Sequence, residues 1–366
     1  MPRTHTSRIC TAIWLLILTA CTPDTWQERV KKAMEDGDPI TEETFSLPME
    51  DYTDPNQFDG PRLMFFGGSP WPLRHADHKH GLLLFSARPD GSDLRLVLTE
   101  EELYKDSGRS ACCIYGSERL ARSPDNRYVA FELWRREDIP YKQLPPGSGG
   151  EVSIWLVDLK TRKFTHVDDG GTNLKFTAQS DKLCYFSGYF KCYNIRTGER
   201  VTRYDLKLRS KGFGFRGEDN QIVNINPEQI EIYSFDGTLL HTYPFTSLFR
   251  TYTARRLVTG TLASNISENG HFAYISLSDG TGWLVDTIKG VGLKEIPDTP
   301  LPAEAILGTS GDLYLGDRDG LRRVYGASPA LPELIPYLSH RAPVHHDYNP
   351  LGSPTLTYRA NILINQ

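Results

Sequence analysis

Along most of this chain, apolar and polar residues alternate in short runs, and each run follows a polar turn. The clearest run is Ser123-Pro-Asp-Asn-Arg-Tyr-Val-Ala-Phe131. Alternation with a period of two marks a strand that buries one face. Weaker copies begin at Gln179, Glu218, Glu268 and Thr309. Units of this size, repeated at intervals, predict an array of small β modules rather than one sheet.

Hairpin turns follow the core strands. They lie at Pro89-Asp-Gly-Ser-Asp93, Leu159-Lys-Thr-Arg-Lys163, Ile195-Arg-Thr-Gly-Glu199, Phe235-Asp-Gly-Thr-Leu239 and Ile288-Lys-Gly-Val-Gly292, with a weaker one at Gly326-Ala-Ser-Pro-Ala330. Gly, Asp and Asn supply the positive backbone angles that tight hairpins need. Six hairpins imply six units. In the third, 173–178, 182–186, 189–195 and 200–204 read as four antiparallel strands. Four-stranded units repeating near every 40 residues are the mark of propeller blades. The expected fold is therefore all-β: a six-bladed β-propeller of four-stranded antiparallel blades, with seven blades as the alternative. The first unit shows only three strands (62–66, 82–86 and 94–98), so part of the segment Ser339–Asn365 is expected to return and close the ring.

Composition adds limits. The 366 residues include 31 Gly and 24 Pro, a surplus of turn formers, and 39% hydrophobic residues are enough for a packed core. A net charge of -5 argues against nucleic acid, which needs a basic stripe.

The N-terminus is an address. Arg3 and Arg8 precede the apolar run Ile9–Leu18, and Thr19-Ala20-Cys21 follows. A basic start, an apolar run and small residues before a cut make a secretory signal over 1–20. The run is too short to span a bilayer, which takes roughly 20 residues. Residues 21–60 are rich in Asp, Glu, Thr and Pro and are read as a tether, with a short helix over 25–35 capped by Thr25 and Glu28. The propeller domain is expected over 61–366.

Two resemblances follow from these motifs. Leu18-Thr-Ala-Cys21 resembles the lipobox of bacterial lipoproteins. That likeness implies acylation of Cys21, with palmitate-type chains as the membrane anchor, and Thr22 implies sorting to the outer membrane, facing the periplasm. Arg122-Ser-Pro-Asp-Asn-Arg-Tyr-Val-Ala-Phe131 and Pro89-Asp-Gly-Ser-Asp-Leu-Arg-Leu-Val-Leu-Thr99 resemble the repeat of TolB-type, WD40-like propellers. Asn126 stands where that repeat usually has Gly, and the later copies lack its Ser-Pro. The resemblance implies protein partners in the cell envelope.

Candidate chemistry is sparse. His75, Asp77, His78 and His80 form one cluster of metal-ligand types, and His345 and His346 begin another. Imidazole with carboxylate suits zinc or a related metal, but neither cluster has a recognised ligand spacing. Solvated loop histidines are the plainer reading, and no cofactor is expected. Cys184 and Cys192 flank Gly188 symmetrically. A three-residue loop would set them face to face within disulfide reach, whereas a two-residue turn would shift the register and separate them. Cys112 and Cys113 are open between a strained vicinal ring and free thiols. Long insertions at 100–116 and 135–150, and a third at 244–261, interrupt the repeat. There is no Gly-x-Ser-x-Gly elbow, phosphate loop, His-Glu-x-x-His or dinucleotide fingerprint. The leading expectation is a lipid-anchored, non-enzymatic propeller that binds envelope proteins. The alternative is a small-ligand, glycan or peptide binder, or a hydrolase, with its site in the central channel.

Overall fold

The computed structural model describes residues 47–59, 62–68, 82–88, 93–99, 120–135, 151–203, 212–249, 261–277, 280–296, 304–317, 320–326 and 359–364, with isolated positions between them. The chain forms two compact units, Met1–Leu47 and Pro48–Gln366. In the first, Lys32 and Asp36 are helical and exposed. The expected signal peptide, Cys21 and nearly all of the expected 25–35 helix lie outside the described residues.

The second unit is built of consecutive antiparallel strands. The first group is β1 (Arg62–Gly68), β2 (Leu82–Ala87) and β3 (Arg95–Leu98). Next come β4 (Ala111–Cys112), β5 (Leu120–Arg122), β6 (Tyr128–Arg135), β7 (Glu151–Asp158) and β8 (Lys163–Asp168). The third group is β9 (Thr172–Phe176), β10 (Lys182–Ser187), β11 (Tyr189–Asn194) and β12 (Arg200–Arg203). The fourth is β13 (Phe213–Arg216), β14 (Gln221–Ile225), β15 (Gln229–Tyr233) and β16 (Leu239–Pro244), followed by the helical turn α1 (Phe245–Leu248). The fifth is β17 (Thr261–Ile266), β18 (Phe272–Leu277), β19 (Gly282–Asp286) and β20 (Val291–Ile296). The last strands are β21 (Glu304–Leu307), β22 (Leu313–Asp317), β23 (Gly320–Tyr325) and β24 (Arg359–Ile364).

Each group makes its own sheet, and β24 joins the first one, in the order β24-β1-β2-β3. The inner strands meet one another in a closed circuit: β24 with β5, then β9, β13, β17, β21 and back to β24. That strand order makes the fold a β-propeller of four-stranded antiparallel blades. Among the described residues five sheets have four strands or more, and the sheet β21-β22-β23 has three. The expectation of six complete blades is thus corrected to five. The reason is topological: the strand from the chain's tail, β24, is used by blade 1, so no described strand remains to complete β21–β23.

The core sits at the seams between blades. Phe58, Met64, Leu84, Val97 and Phe131 fill the seam between blades 1 and 2. Ile154, Leu156, Leu183 and Tyr185 fill the next, and Cys184, Phe190, Phe213 and Phe215 the third. Trp283, fully buried and stacked on Phe249 at 4.2 Å, belongs to the seam of blades 4 and 5. Phe245 and Leu248 enter the same cluster. The start of the expected 244–261 excursion is therefore a packed helical turn, held down by aromatic burial.

The sequence repeat has one structural purpose. In blades 2 to 5 and in the three-stranded sheet, the turn between the first two strands closes with a backbone bond from the fourth residue to the first. These bonds are Asn126 N–H to Ser123, Ser180 to Thr177, Asn220 to Gly217, Gly270 to Ser267 and Gly311 to Gly308. All five donors have positive φ, from 52° at Asn220 to 89° at Gly311. The repeat therefore conserves a left-handed position rather than a glycine, and Asn fills it because its short polar side chain tolerates that region. Gly270 is the exception that needs its missing side chain, since a Cβ there would lie 2.2 Å from the Phe215 carbonyl oxygen.

Side chains reinforce these turns. Ser123 Oγ accepts from Tyr128 N–H at 2.8 Å, Thr177 Oγ1 from Lys182 N–H at 3.1 Å and Ser267 Oγ from Phe272 N–H at 3.0 Å. The later hairpin of the same blade is tied to the first turn by its backbone: Leu159 N–H to Arg127, Ile195 to Asp181 and Thr287 to His271. Both sequence signatures thus lie at one end of the ring, where they tie the turns of each blade to one another.

Candidate functional site

With the repeat motifs committed to the turn end, function must be sought in the channel, at the seams or at the opposite end. One charged contact leaves inner strand β9 and reaches past the next blade. Lys175, on inner strand β9, donates from Nζ to Glu268 Oε1 at 3.0 Å and to the Ile266 carbonyl at 3.2 Å. Those acceptors belong to blade 5, so the side chain passes blade 4 to reach them. On β13 of the intervening blade, Gly214 lies close against Ile266: a Cβ there would come within 2.6 Å of Ile266 Cγ2.

A second cluster bridges blades 2 and 3. Asp168, at the end of β8, accepts from Lys191 Nζ at 2.8 Å and from the Tyr185 hydroxyl at 2.9 Å. Tyr185 and Lys191 are cross-strand partners on β10 and β11, which is why both reach one carboxylate. Burial raises the Asp168 pKa, but the bonds from Lys191 and Tyr185 outweigh it and hold the group below its ordinary 3.8. Tyr185 is pushed far up, by burial first and by its bond to Asp168 second. At neutral pH Asp168 is ionised and Tyr185 keeps the hydroxyl proton that it donates, so these bonds tie blade 2 to blade 3.

Other carboxylates are committed in the same way. Arg127 clasps Asp158 with Nε–Oδ1 at 3.1 Å and Nη2–Oδ2 at 2.7 Å. Glu231 accepts from Asn224, Asn226, Gln229 and Tyr233. Asp286 Oδ1 accepts from Ile288 and Lys289 N–H and shapes its hairpin.

The cysteine pair lies in blade 3. Cys184 and Cys192 occupy paired positions of β10 and β11, around a loop whose centre, Gly188, has φ 72°. They form a disulfide with a Cα separation of 4.0 Å. Both are buried in the seam with blade 4. The histidine candidates His75, His78, His80, His345 and His346, with Asp77, lie outside the described residues, as does Cys113. Among the described residues, no group of three His, Cys, Asp or Glu is placed to hold a metal.

The end opposite the turns is where each inner strand begins and where the second and third strands of each blade connect. Residues 69–81 and 136–150 leave and rejoin their blades there, between β1 and β2 and between β6 and β7. Tyr189, half exposed, and the exposed Glu228 mark this end on blades 3 and 4.

No family model matches the sequence, and no curated protein matches it. Among solved structures, TolB from Acinetobacter baumannii is similar at 14% identity over 70% of this chain, with a TM-score of 0.44. This chain spans 58% of the length of that TolB chain. A β-propeller domain from Myceliophteria thermophila matches at 14% identity over 60% of this chain and 68% of its own, with a TM-score of 0.39. A chain of a Mitotic Checkpoint Complex matches at 10% identity over 54% of this chain and 56% of its own, with a TM-score of 0.38. It is the sheet order, not these partial superpositions, that makes the fold a propeller.

Sequence reasoning missed Lys175, Glu268, Asp168 and Tyr185. The one available signal was Lys175 itself, a charge between Leu174 and Phe176 on an inner strand. Its partner lies 93 residues away and leaves no local trace.

Proposed function

We propose that this chain is a lipid-anchored envelope protein whose propeller is a non-enzymatic scaffold for binding other proteins, engaged at the end opposite the repeated turns. The observation that carries the reading is the commitment of polar groups. The repeat motifs tie the turns within each blade, Asp158 and Glu231 brace single blades, and Asp168 joins blade 2 to blade 3. The long connections from β1 to β2 and from β6 to β7 start at the other end. Variation at one end of a rigid ring is how scaffolds present binding surfaces.

Export and anchoring rest on the lipobox ending at Cys21 and on the buried Cys184–Cys192 disulfide, which suits an oxidising compartment. No helix among the described residues is long and apolar enough to cross a membrane. Anchorage through acyl chains needs none, because more than one chain gives stable binding where a single chain is marginal. The test is metabolic labelling with palmitate and membrane fractionation, comparing wild type with Cys21→Ala. Label and membrane association that both vanish in the variant are expected. Unlabelled wild type, or a variant still in the membrane fraction, defeats the anchoring part of the proposal.

A further inference from the structure

Blade 1 takes its inner strand from the chain's tail, and the chain ahead of β1 lies along its outer edge. Met49 forms a parallel bridge with Leu96 of β3. Leu96 N–H donates to the Pro48 carbonyl at 3.0 Å, and Glu50 N–H donates to the Leu96 carbonyl at 2.7 Å. From there the chain turns inward. A short helical turn, Pro55–Phe58, is capped by Asp54, which accepts from Asn56 N–H at 2.9 Å. It delivers Phe58, 1% exposed, into the core between blades 1 and 2.

One buried ion pair fixes this path. Glu50 Oε1 meets Arg122 Nη2 at 2.6 Å, with both side chains 1% exposed. Arg122 is on the inner strand of blade 2, and its guanidinium lies over the Phe58 ring at 5.3 Å while its Nε donates to the Asn126 carbonyl. The other Glu50 oxygen accepts from the Ser86 hydroxyl of blade 1 at 2.5 Å. Ser86 Oγ in turn accepts from the buried Arg62, which also pairs with Asp93 at 2.6 Å and donates to the Gln57 carbonyl. One carboxylate from the leading segment thus joins two blades.

We propose that residues 48–58 are a strap that holds blade 1 closed on blade 2, with the Glu50–Arg122 pair as its lock. A charge this deeply buried is tolerated only against its partner, so the pair selects one register of the strap and excludes the rest. The strap then adds to the other ties between blades 1 and 2, which include the shared apolar seam and the bond from Arg162 Nη2 to the Val97 carbonyl at 3.0 Å. Loosening the strap opens this seam and no other, because among the described residues no bond from 48–58 reaches blades 3 to 5.

Hydrogen exchange read by mass spectrometry on the full chain tests this, with Glu50→Gln, which leaves Arg122 unbalanced, and Phe58→Ala, which removes the plug. Amides in 62–68, 82–88 and 120–135 should exchange roughly tenfold faster or more, while 182–194 and 221–233 keep wild-type rates. Ser86→Ala, which removes a single bond to Glu50, should give a smaller acceleration confined to the same segments, and it serves if the stronger variants do not fold. Unchanged rates in blades 1 and 2, or equal acceleration in every blade, overturn the strap.

Discussion

Lys175 and Glu268 meet at 3.0 Å across two seams, joining blades that are not neighbours. Their side chains are 12% and 17% exposed, so the pair sits between a surface bridge and a buried one. Replacing Lys175 by Met should cost about 1–2 kcal/mol, more than an exposed pair and less than a fully buried one. Gly214→Val should cost about 1–3 kcal/mol, because its added atoms meet Ile266 where the packing leaves no room. Urea unfolding measures both. A Gly214→Val protein as stable as wild type would contradict this geometry.

The Cys184–Cys192 link closes a short loop, with a sequence separation of 8. Loop-closure entropy for that length gives about 2.5 kcal/mol. For a domain of this size that is a fall in Tm of about 4 °C on changing both cysteines to Ser. Reductant should lower the wild-type Tm similarly and leave the double variant unmoved. Equal sensitivity of both proteins to reductant would show that another bond is responsible.

Acid should destabilise the fold in a defined window. Asp158, Asp168 and Asp181 are buried in part, which raises their pKa values, but bonds from Arg127, Lys191 and Lys182 outweigh burial and leave all three below 3.8. A depressed carboxylate contributes stability that is fully present above its unfolded pKa and is lost as pH falls through the folded one. Stability should hold from neutral pH down to about 5 and decline below about 4. Tyr233 moves the other way, pushed up to about 12 by burial and by its bond to Glu231, and Tyr185 moves further in the same direction. Their contribution is complete below pH 10 and is lost as pH rises through the folded values. Chemical denaturation across pH checks both limbs. In Asp168→Asn the acid decline should be shallower, and an unchanged decline would remove Asp168 from the explanation.

Ring closure predicts the effect of truncation. Cutting the chain after residue 338 removes β24 and leaves the β1 edge unpaired along Arg62–Phe66, the span that it pairs in the intact ring. Blade 1 then loses its inner strand, and the circuit β21-β24-β5 is broken. Thermal unfolding should begin far below the wild-type temperature and lose its cooperativity. A truncated protein melting at the wild-type temperature would contradict closure by this strand.

What was legible in the sequence was local. Alternation and turn chemistry marked the strands of blade 3 within one or two residues, because both operate over fewer than ten positions. The drift of the repeat was legible only in part. Asn126 in place of Gly looks like decay until its φ of 60° shows that the turn asks for a left-handed residue. Pairings over distance were invisible, such as Glu50 with Arg122, 72 residues apart, because neither residue's neighbours differ from those of a solvated charge. The packing of the segment after Pro244 was hidden for a related reason. Phe245, Leu248 and Phe249 show no strand alternation, and the seam that buries them exists only when blades 4 and 5 are assembled.

The most direct test of the scaffold reading is site-specific photo-cross-linking in native cells. A photoreactive residue at Tyr189 or Glu228 reports on the end opposite the turns, and one at Thr197 or Asp236 reports on the turn end. Discrete protein adducts at the first pair and none at the second are expected. Adducts only at the turn end, or at neither end, would contradict a protein-binding face opposite the repeats.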